Sequence, residues 1–244
     1  MAVIIVKEVQ ICSAQRVQKK FALFESAKII LVNLIYSALG LFISRGVIFG
    51  AYSPFGAAFV ASVPYKHMLW SLLGTILGYL LPSDLNSSSR YIATAIAICA
   101  IRWTLSDLKK LKKHALFIPL VAFIPIAATG FAMNISEGAF TDLAVMNITE
   151  ALLSAVGAYF LYETAQIISN KKYNQAFSHQ ELASLIMSVC IIILSLSSFT
   201  LGYVSAGKVI ATVIILFCAE YMGLAGGSVA GIALGVTFSL SGKS

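Results

Sequence analysis

Several ionisable side chains stand inside or beside long apolar stretches of this sequence. Arg102, Glu150 and Glu220 lie inside such stretches, while Arg45 lies nearer the end of one. A charge in hydrocarbon is costly and usually faces a cavity or an opposite charge. Glu150 and Glu220 could therefore relay a proton or an ion. In the second interpretation Glu150 forms a structural pair with Arg102 or Arg45. We favour the structural pair. Transporters often have broken helices at matching positions in two halves of the chain, whereas the prolines that interrupt apolar stretches here, Pro54, Pro119 and Pro125, show no such repeat.

Glycines recur every four residues in two of the apolar stretches. Gly74 and Gly78 form one GxxxG pattern, and Gly227, Gly231 and Gly235 form a longer one. Small residues on one helix face allow close backbone packing, through which helices associate in lipid. The five glycines are therefore candidates for contacts between copies of the chain. Packing within one bundle is the alternative that we favour, since many helices must pack together in any case.

The sequence carries no motif of a soluble enzyme or of a metal site. It has no Walker loop, no HExxH and no GxSxG. A two-metal phosphatase centre needs several converging carboxylates, whereas Asp84, Asp107 and Asp142 are scattered among loops. The four cysteines form no CxxC pair. We therefore predict no catalytic, cofactor-binding or metal-binding residue in this chain.

The composition places all of these side chains in a membrane. The 244 residues are 59% hydrophobic and 11% charged, with a mean hydropathy of +0.90. A soluble domain carries about a quarter charged residues, and a disordered chain needs low hydrophobicity with high charge. We predict an all-α polytopic transmembrane helix bundle with about nine to ten spans.

Nine apolar runs, separated at charges, prolines and polar clusters, are the predicted spans. Runs three, four, eight and nine are shorter than the roughly 20 residues of a full span, so they borrow flanking residues or are re-entrant. Pro54 is expected to break run two, Pro119 and Pro125 run five, and a glycine-rich bend separates runs eight and nine. The runs cover residues 27–44, 46–63, 68–81, 91–105, 115–133, 143–169, 182–201, 209–222 and 228–240.

The basic residues predict a cytoplasmic N-terminus, because Lys and Arg are enriched in cytoplasmic loops. The predicted inside loops then hold seven lysines, whereas the outside loops hold one basic residue each. The formal charge of +7 reflects loops that face anionic lipid, with no nucleic-acid partner implied. The inside residues are Lys66, Lys109, Lys110, Lys112, Lys113, Lys171 and Lys172, and the outside ones are Arg45, Arg90 and Lys208.

The predicted division of the chain follows from these runs. Residues 1–26 form a cytoplasmic amphipathic N-terminal segment, residues 27–240 the bundle and residues 241–244 a tail. Nine spans would leave the C-terminus outside. We therefore expect that one run is not a true span, or that the chain is truncated before a further span and a cytoplasmic domain.

Three sets of segments carry a resemblance to a known family. Residues 40–46 (GLFISRG) lead into 52–61 (YSPFGAAFVA), and residues 138–141 (GAFT) lead into 148–154 (ITEALLS). Residues 180–182 (QEL) open run seven, and the glycine-rich residues 223–235 lie near the end. In order and spacing, over nearly the whole chain, they resemble the N-terminal membrane region of stage II sporulation protein E.

The resemblance implies a membrane anchor, localisation and oligomerisation module. In that family about ten spans precede a PP2C-like, manganese-dependent serine phosphatase. The phosphatase activates the forespore sigma factor at the asymmetric septum. This sequence stops before any phosphatase, so we expect no enzyme activity and no cofactor here, and manganese only in the missing domain. The implied partners are the lipid bilayer, further copies of the chain and septal proteins such as the tubulin-like division protein. The implied location is the bacterial cell membrane, at the sporulation septum.

Two alternatives remain open from the residues alone. A small-solute or ion transporter would use Glu150 and Glu220 facing a water-lined cavity at mid-membrane depth. A permease-type subunit would need a cytoplasmic coupling helix, for which residues 106–114 are the candidate. A closed bundle with glycine faces in contact would favour the anchor.

Overall fold

The computed structural model describes residues 27–81, 85–107, 116–137, 142–170, 178–201 and 204–240. Helices form nearly all of these ranges, so the predicted all-α class is confirmed. Short 3₁₀ turns at Tyr65–His67 and Leu105–Asp107 and a two-residue strand pair, β1 (Thr200–Leu201) with β2 (Val204–Ser205), complete the architecture. The helices are α1 (Ala27–Ile43), α2 (Phe55–Ser62), α3 (Met68–Leu80), α4 (Leu85–Thr104), α5 (Phe117–Glu137), α6 (Asp142–Asn170), α7 (His179–Leu196) and α8 (Ala206–Leu240).

Within the described ranges, three helices have the length and composition to cross a bilayer, namely those at Phe117–Ile135, Ala144–Ser169 and His179–Leu196. Two shorter apolar helices are Ala27–Ile43 and Gly226–Ser239. Large apolar side chains point outward from these helices, as lipid-facing residues do. The count of nine to ten spans and the cytoplasmic N-terminus stay predictions.

The second predicted span is instead a short buried helix. α2 has eight residues, all of them buried, and a length of about 12 Å. It cannot cross a hydrocarbon layer of about 30 Å alone. Pro54 was expected to break this run, and the run does divide there: Pro54 directly precedes α2, where a missing N–H costs nothing. Before it, a tight turn with Ile48 bridged to Tyr52 occupies the rest of the predicted run.

α5 is continuous through both of its prolines, so the predicted interruption is wrong. Pro119 lies in the first turn, where N–H groups have no partner within the helix. Pro125 lies inside the helix, and the Thr129 hydroxyl donates to its carbonyl at 2.9 Å.

α8 bends back on itself at Gly223, as the glycine-rich segment predicted. Gly223 has φ +69°, a conformation that favours glycine. A Cβ at Gly227 would lie 2.8 Å from Ala219 Cβ, and Leu234 belongs to the same buried cluster as Ala211. The segment after the bend therefore runs antiparallel to the segment before it.

Contacts between helices define two ends of the bundle, which we call the Arg45 end and the Lys66 end. α1 and α3 run in parallel, because Asn33 contacts His67 near their starts and Leu41 contacts Gly78 near their ends. Arg45 follows α1 and Lys66 precedes α3, so they lie at opposite ends, as predicted. The segment 1–26, the loop lysines 109–113, Lys171, Lys172 and the tail 241–244 lie outside the described residues.

Candidate functional site

Polar side chains from α3, α4 and α6 hold the start of α2. The Ser53 N–H donates to the Tyr91 hydroxyl at 3.1 Å, and the Tyr79 hydroxyl donates to the Ser53 carbonyl at 2.8 Å. The two tyrosine rings are stacked, with centroids 5.3 Å apart. Non-helical backbone at membrane depth is tolerated only where it is enclosed and satisfied. These tyrosines therefore satisfy the backbone hydrogen-bonding groups of Ser53, just before α2 begins.

A buried ion pair lies directly behind these tyrosines. Arg90 of α4 donates to Glu150 of α6, and their side chains are 9% and 1% exposed. The Tyr91 hydroxyl donates to the second carboxylate oxygen of Glu150 at 2.6 Å. Glu150 thus binds a cation and a hydroxyl at once. Its negative charge is neutralised and its orientation is fixed.

The partner of Glu150 differs from the predicted Arg102 or Arg45. The serines that precede Arg90 predict a polar loop at this position. The structure begins α4 at Leu85, so Arg90 lies in its second turn. In the sequence, the feature that could have indicated this ion pair is Arg90 followed by Tyr91 at the edge of an apolar run.

Amide side chains extend the polar contacts from α6 to α5. Asn147 Nδ2 donates to the Gly130 carbonyl at 3.1 Å and to Asn134 Oδ1 at 2.9 Å. Thr94 of α4 and Thr129 of α5 are 3.0 Å apart, oxygen to oxygen. Small buried residues of α6, including Ala151 and Ala158, let α2 pack closely against it.

Arg102 holds the other end of α2. Its Nη1 donates to the Val60 carbonyl at 2.8 Å, and its guanidinium carbon lies 4.6 Å from the centre of the Tyr65 ring. In a continuing helix that carbonyl would accept from the residue four positions on. Here that residue is Pro64, which has no N–H. Arg102 replaces the missing donor, and its charge suits a helix C-terminus. A cavity of about 310 Å³ lies beside it.

The chain matches a protein family over nearly its whole length. The model of "SpoIIE, N-terminal domain" covers residues 4–244. The chain belongs to this family. Curated proteins and solved structures gave no match. The resemblance to stage II sporulation protein E is thus confirmed, and the chain is a SpoIIE-family membrane module in which only the N-terminal domain is found.

The glycines of this SpoIIE domain separate into two groups. Gly74 and Gly78 lie against the backbone of α1, where an added Cβ would overlap Ser37 and Leu41, and Gly227 lies against Ala219. Gly231 and Gly235 have open space around them within 4 Å. Three of the five predicted positions thus make contacts within the chain, and two face outward.

The other predicted positions are spread through the SpoIIE domain. The backbone carbonyl of Arg45 accepts a hydrogen bond from the Ser198 hydroxyl. The guanidinium carbon of Arg45 lies 5.4 Å from the centre of the Phe199 ring. Glu220 is exposed on α8, whereas Glu150 is buried. Among the described residues, no group of three His, Cys, Asp or Glu side chains could hold a metal ion.

Proposed function

We propose that this chain is the membrane anchor of a sporulation-specific serine phosphatase that activates the forespore sigma factor, and that it localises and oligomerises that enzyme at the asymmetric septum. The family match carries the proposal. Exposed apolar helices provide the anchor. Confinement to one membrane site raises the local concentration of attached domains. The proposed partners are lipid, further copies of the chain and septal division proteins.

The buried polar side chains bond to one another and to the backbone of α2, which supports a rigid scaffold. Arg90, Glu150 and two tyrosines fix the start of α2, and Arg102 fixes its end. A fixed interior lets the outer surface present one shape to lipid and to partners. A transporter would instead need Glu150 free to exchange its ligand, so the locked ion pair favours the anchor over that alternative.

Localisation is tested in the sporulating cell with a fluorescent fusion to the whole protein. We expect Glu150→Ala to reduce septal fluorescence while a separately expressed phosphatase domain stays active. Glu220→Ala, which removes an exposed carboxylate, is the matched control and should localise normally. Normal septal targeting and normal protein level in Glu150→Ala would contradict the proposal.

Self-association is tested at the glycines that face outward. Gly231→Leu has room in the single chain, so it should leave folding intact and reduce crosslinking between copies in membranes. Val229→Leu changes an exposed residue about 200° away on the same helix and is the control. If Gly231→Leu and Val229→Leu crosslink equally well, the surface around Gly231 is not the contact between copies.

A further inference from the structure

We propose that the cavity beside Arg102 binds a phosphate group, supplied either by an anionic lipid headgroup or by a soluble phosphate. The cavity lies at the Lys66 end, between the end of α2, the end of α4, the start of α5 and the end of α6. Its volume is about 310 Å³, which is large enough for a phosphate and part of the group that carries it. The lining includes Ser62, Tyr65, Arg102, Phe117, Tyr162 and Ser169.

The charge of Arg102 calls for a counter-charge. Its side chain is 2% exposed, and an arginine stays charged in proteins. In the part of the chain that the structure describes, the one salt bridge joins Arg90 and Glu150, and no carboxylate lines the cavity. A buried charge without an opposite charge is strongly destabilising. The Val60 carbonyl and the Tyr65 ring offset part of this cost through their dipole and quadrupole. An anion in the adjacent cavity would complete the compensation.

The donor set at this cavity fits a phosphate. Arg102 Nε is buried and has no hydrogen-bond partner among the described residues, while Nη1 is used by Val60. An arginine fork matches the oxygen spacing of phosphate. The Tyr162 hydroxyl accepts from Gln166 Nε2 at 2.7 Å, so its own proton can be donated to a bound oxygen. The two groups line the same cavity from α4 and α6.

The surrounding charge also favours an anion. Lys66 is exposed and adjoins the lining residue Tyr65. α4 and α6 both end at the Lys66 end, and in the sequence the lysines of residues 109–113 follow α4 while Lys171 and Lys172 follow α6. The predicted cytoplasmic position of these lysines would place the cavity beside the leaflet that carries anionic lipid.

The experiment measures binding to the purified full chain in detergent. Two probes are used. Binding of phosphatidylglycerol is measured by native mass spectrometry, with phosphatidylcholine as the comparison lipid. Binding of inorganic phosphate is measured as a rise in the temperature of thermal unfolding. Arg102→Gln removes the charge and the reach to the Val60 carbonyl, while a side-chain amide remains. Ala165→Leu keeps Arg102 and fills the cavity that Ala165 lines. Lys66→Gln removes an exposed charge at the same end and is the control.

We expect Arg102→Gln and Ala165→Leu each to weaken binding about tenfold or more, since charge-assisted hydrogen bonds are lost. Lys66→Gln should weaken it less than about threefold. If the two variants lose only phosphatidylglycerol binding, a lipid headgroup supplies the phosphate. If they lose the thermal protection by inorganic phosphate, a soluble phosphate supplies it. If both variants match the wild-type chain with both probes, or if all three variants act alike, the site is overturned.

Discussion

The ion pair of Arg90 and Glu150 gives the most informative stability test. Glu150→Ala leaves the Arg90 charge buried, with its side chain only 9% exposed. It also removes the acceptor of the Tyr91 hydroxyl. Breaking a buried pair from one side costs roughly 3–5 kcal/mol. We therefore expect a loss of about 4 kcal/mol, which is a large part of the total stability of a typical domain.

The double variant Arg90→Met with Glu150→Leu should recover most of that loss. Replacing a buried pair by apolar residues of similar volume is often neutral. The remaining cost is the orphaned Tyr91 hydroxyl, about 1 kcal/mol or somewhat more. A double-mutant cycle should thus give a coupling of about 3 kcal/mol or more between Arg90 and Glu150.

The assay is reversible unfolding in mixed micelles of dodecylmaltoside and sodium dodecyl sulfate, followed by tryptophan fluorescence. Glu220→Ala, at an exposed position, is the control and should change the free energy of unfolding by less than about 0.5 kcal/mol. The reasoning is refuted if Glu150→Ala costs no more than Glu220→Ala. It is also refuted if the double variant loses as much free energy of unfolding as the single variants Arg90→Met and Glu150→Leu added together.

Three further predictions use the same assay. Gly74→Leu should lower the free energy of unfolding by at least about 2 kcal/mol through overlap with α1, whereas Gly231→Leu should change it little; equal costs would contradict this packing. Burial and the neighbouring lysine lower the pKa of His67, so the unfolded chain takes up the proton first. Stability should therefore fall as the pH drops just below about 6.5, and His67→Gln should remove that slope, whereas an unchanged slope would exclude this residue. Arg102→Met should cost less in a Pro64→Ala chain, because residue 64 then offers an N–H to the α2 carbonyl; equal costs in both backgrounds would argue against this contact.

The long helices were predictable from the sequence because length and apolarity define them. The structure places α6 at Asp142–Asn170, within one residue of the predicted run 143–169 at each end. The bend at Gly223 was equally visible, since a run of glycines interrupts an apolar stretch. These features depend on local composition alone, which a single sequence reports.

α2 could not be predicted in its observed form. Its run has the length and hydropathy of a span, but a turn with Phe49 at φ +52° and Gly50 at φ +74° occupies the first part. What makes a half-length helix viable is the set of side chains at its two ends. Those side chains come from positions far along the chain, so no local pattern reveals them.

The same limit applies to the partner of Glu150. A charge inside an apolar run indicates that an opposite charge must lie nearby, and in the structure Arg90 supplies it. Choosing the partner required the first residue of α4. The serines before Arg90 indicate a loop by composition. Ser88 is nevertheless buried in the structure, and the helix extends through it.

The support of α2 bears on how the chain is made. Its ends are completed by Tyr79, Tyr91 and Arg102, and the Ile43 carbonyl before it accepts from Ser195. Every one of these side chains is translated after α2. A nascent chain released after α3 should leave a cysteine at position 53 open to aqueous thiol reagents, while the full chain should protect it. Equal labelling of both would count against this order of events. Because the last of these contacts comes from Ser195 of α7, the surroundings of α2 are complete only after α7 has been made, and packing of this segment is a late step in the synthesis of the chain.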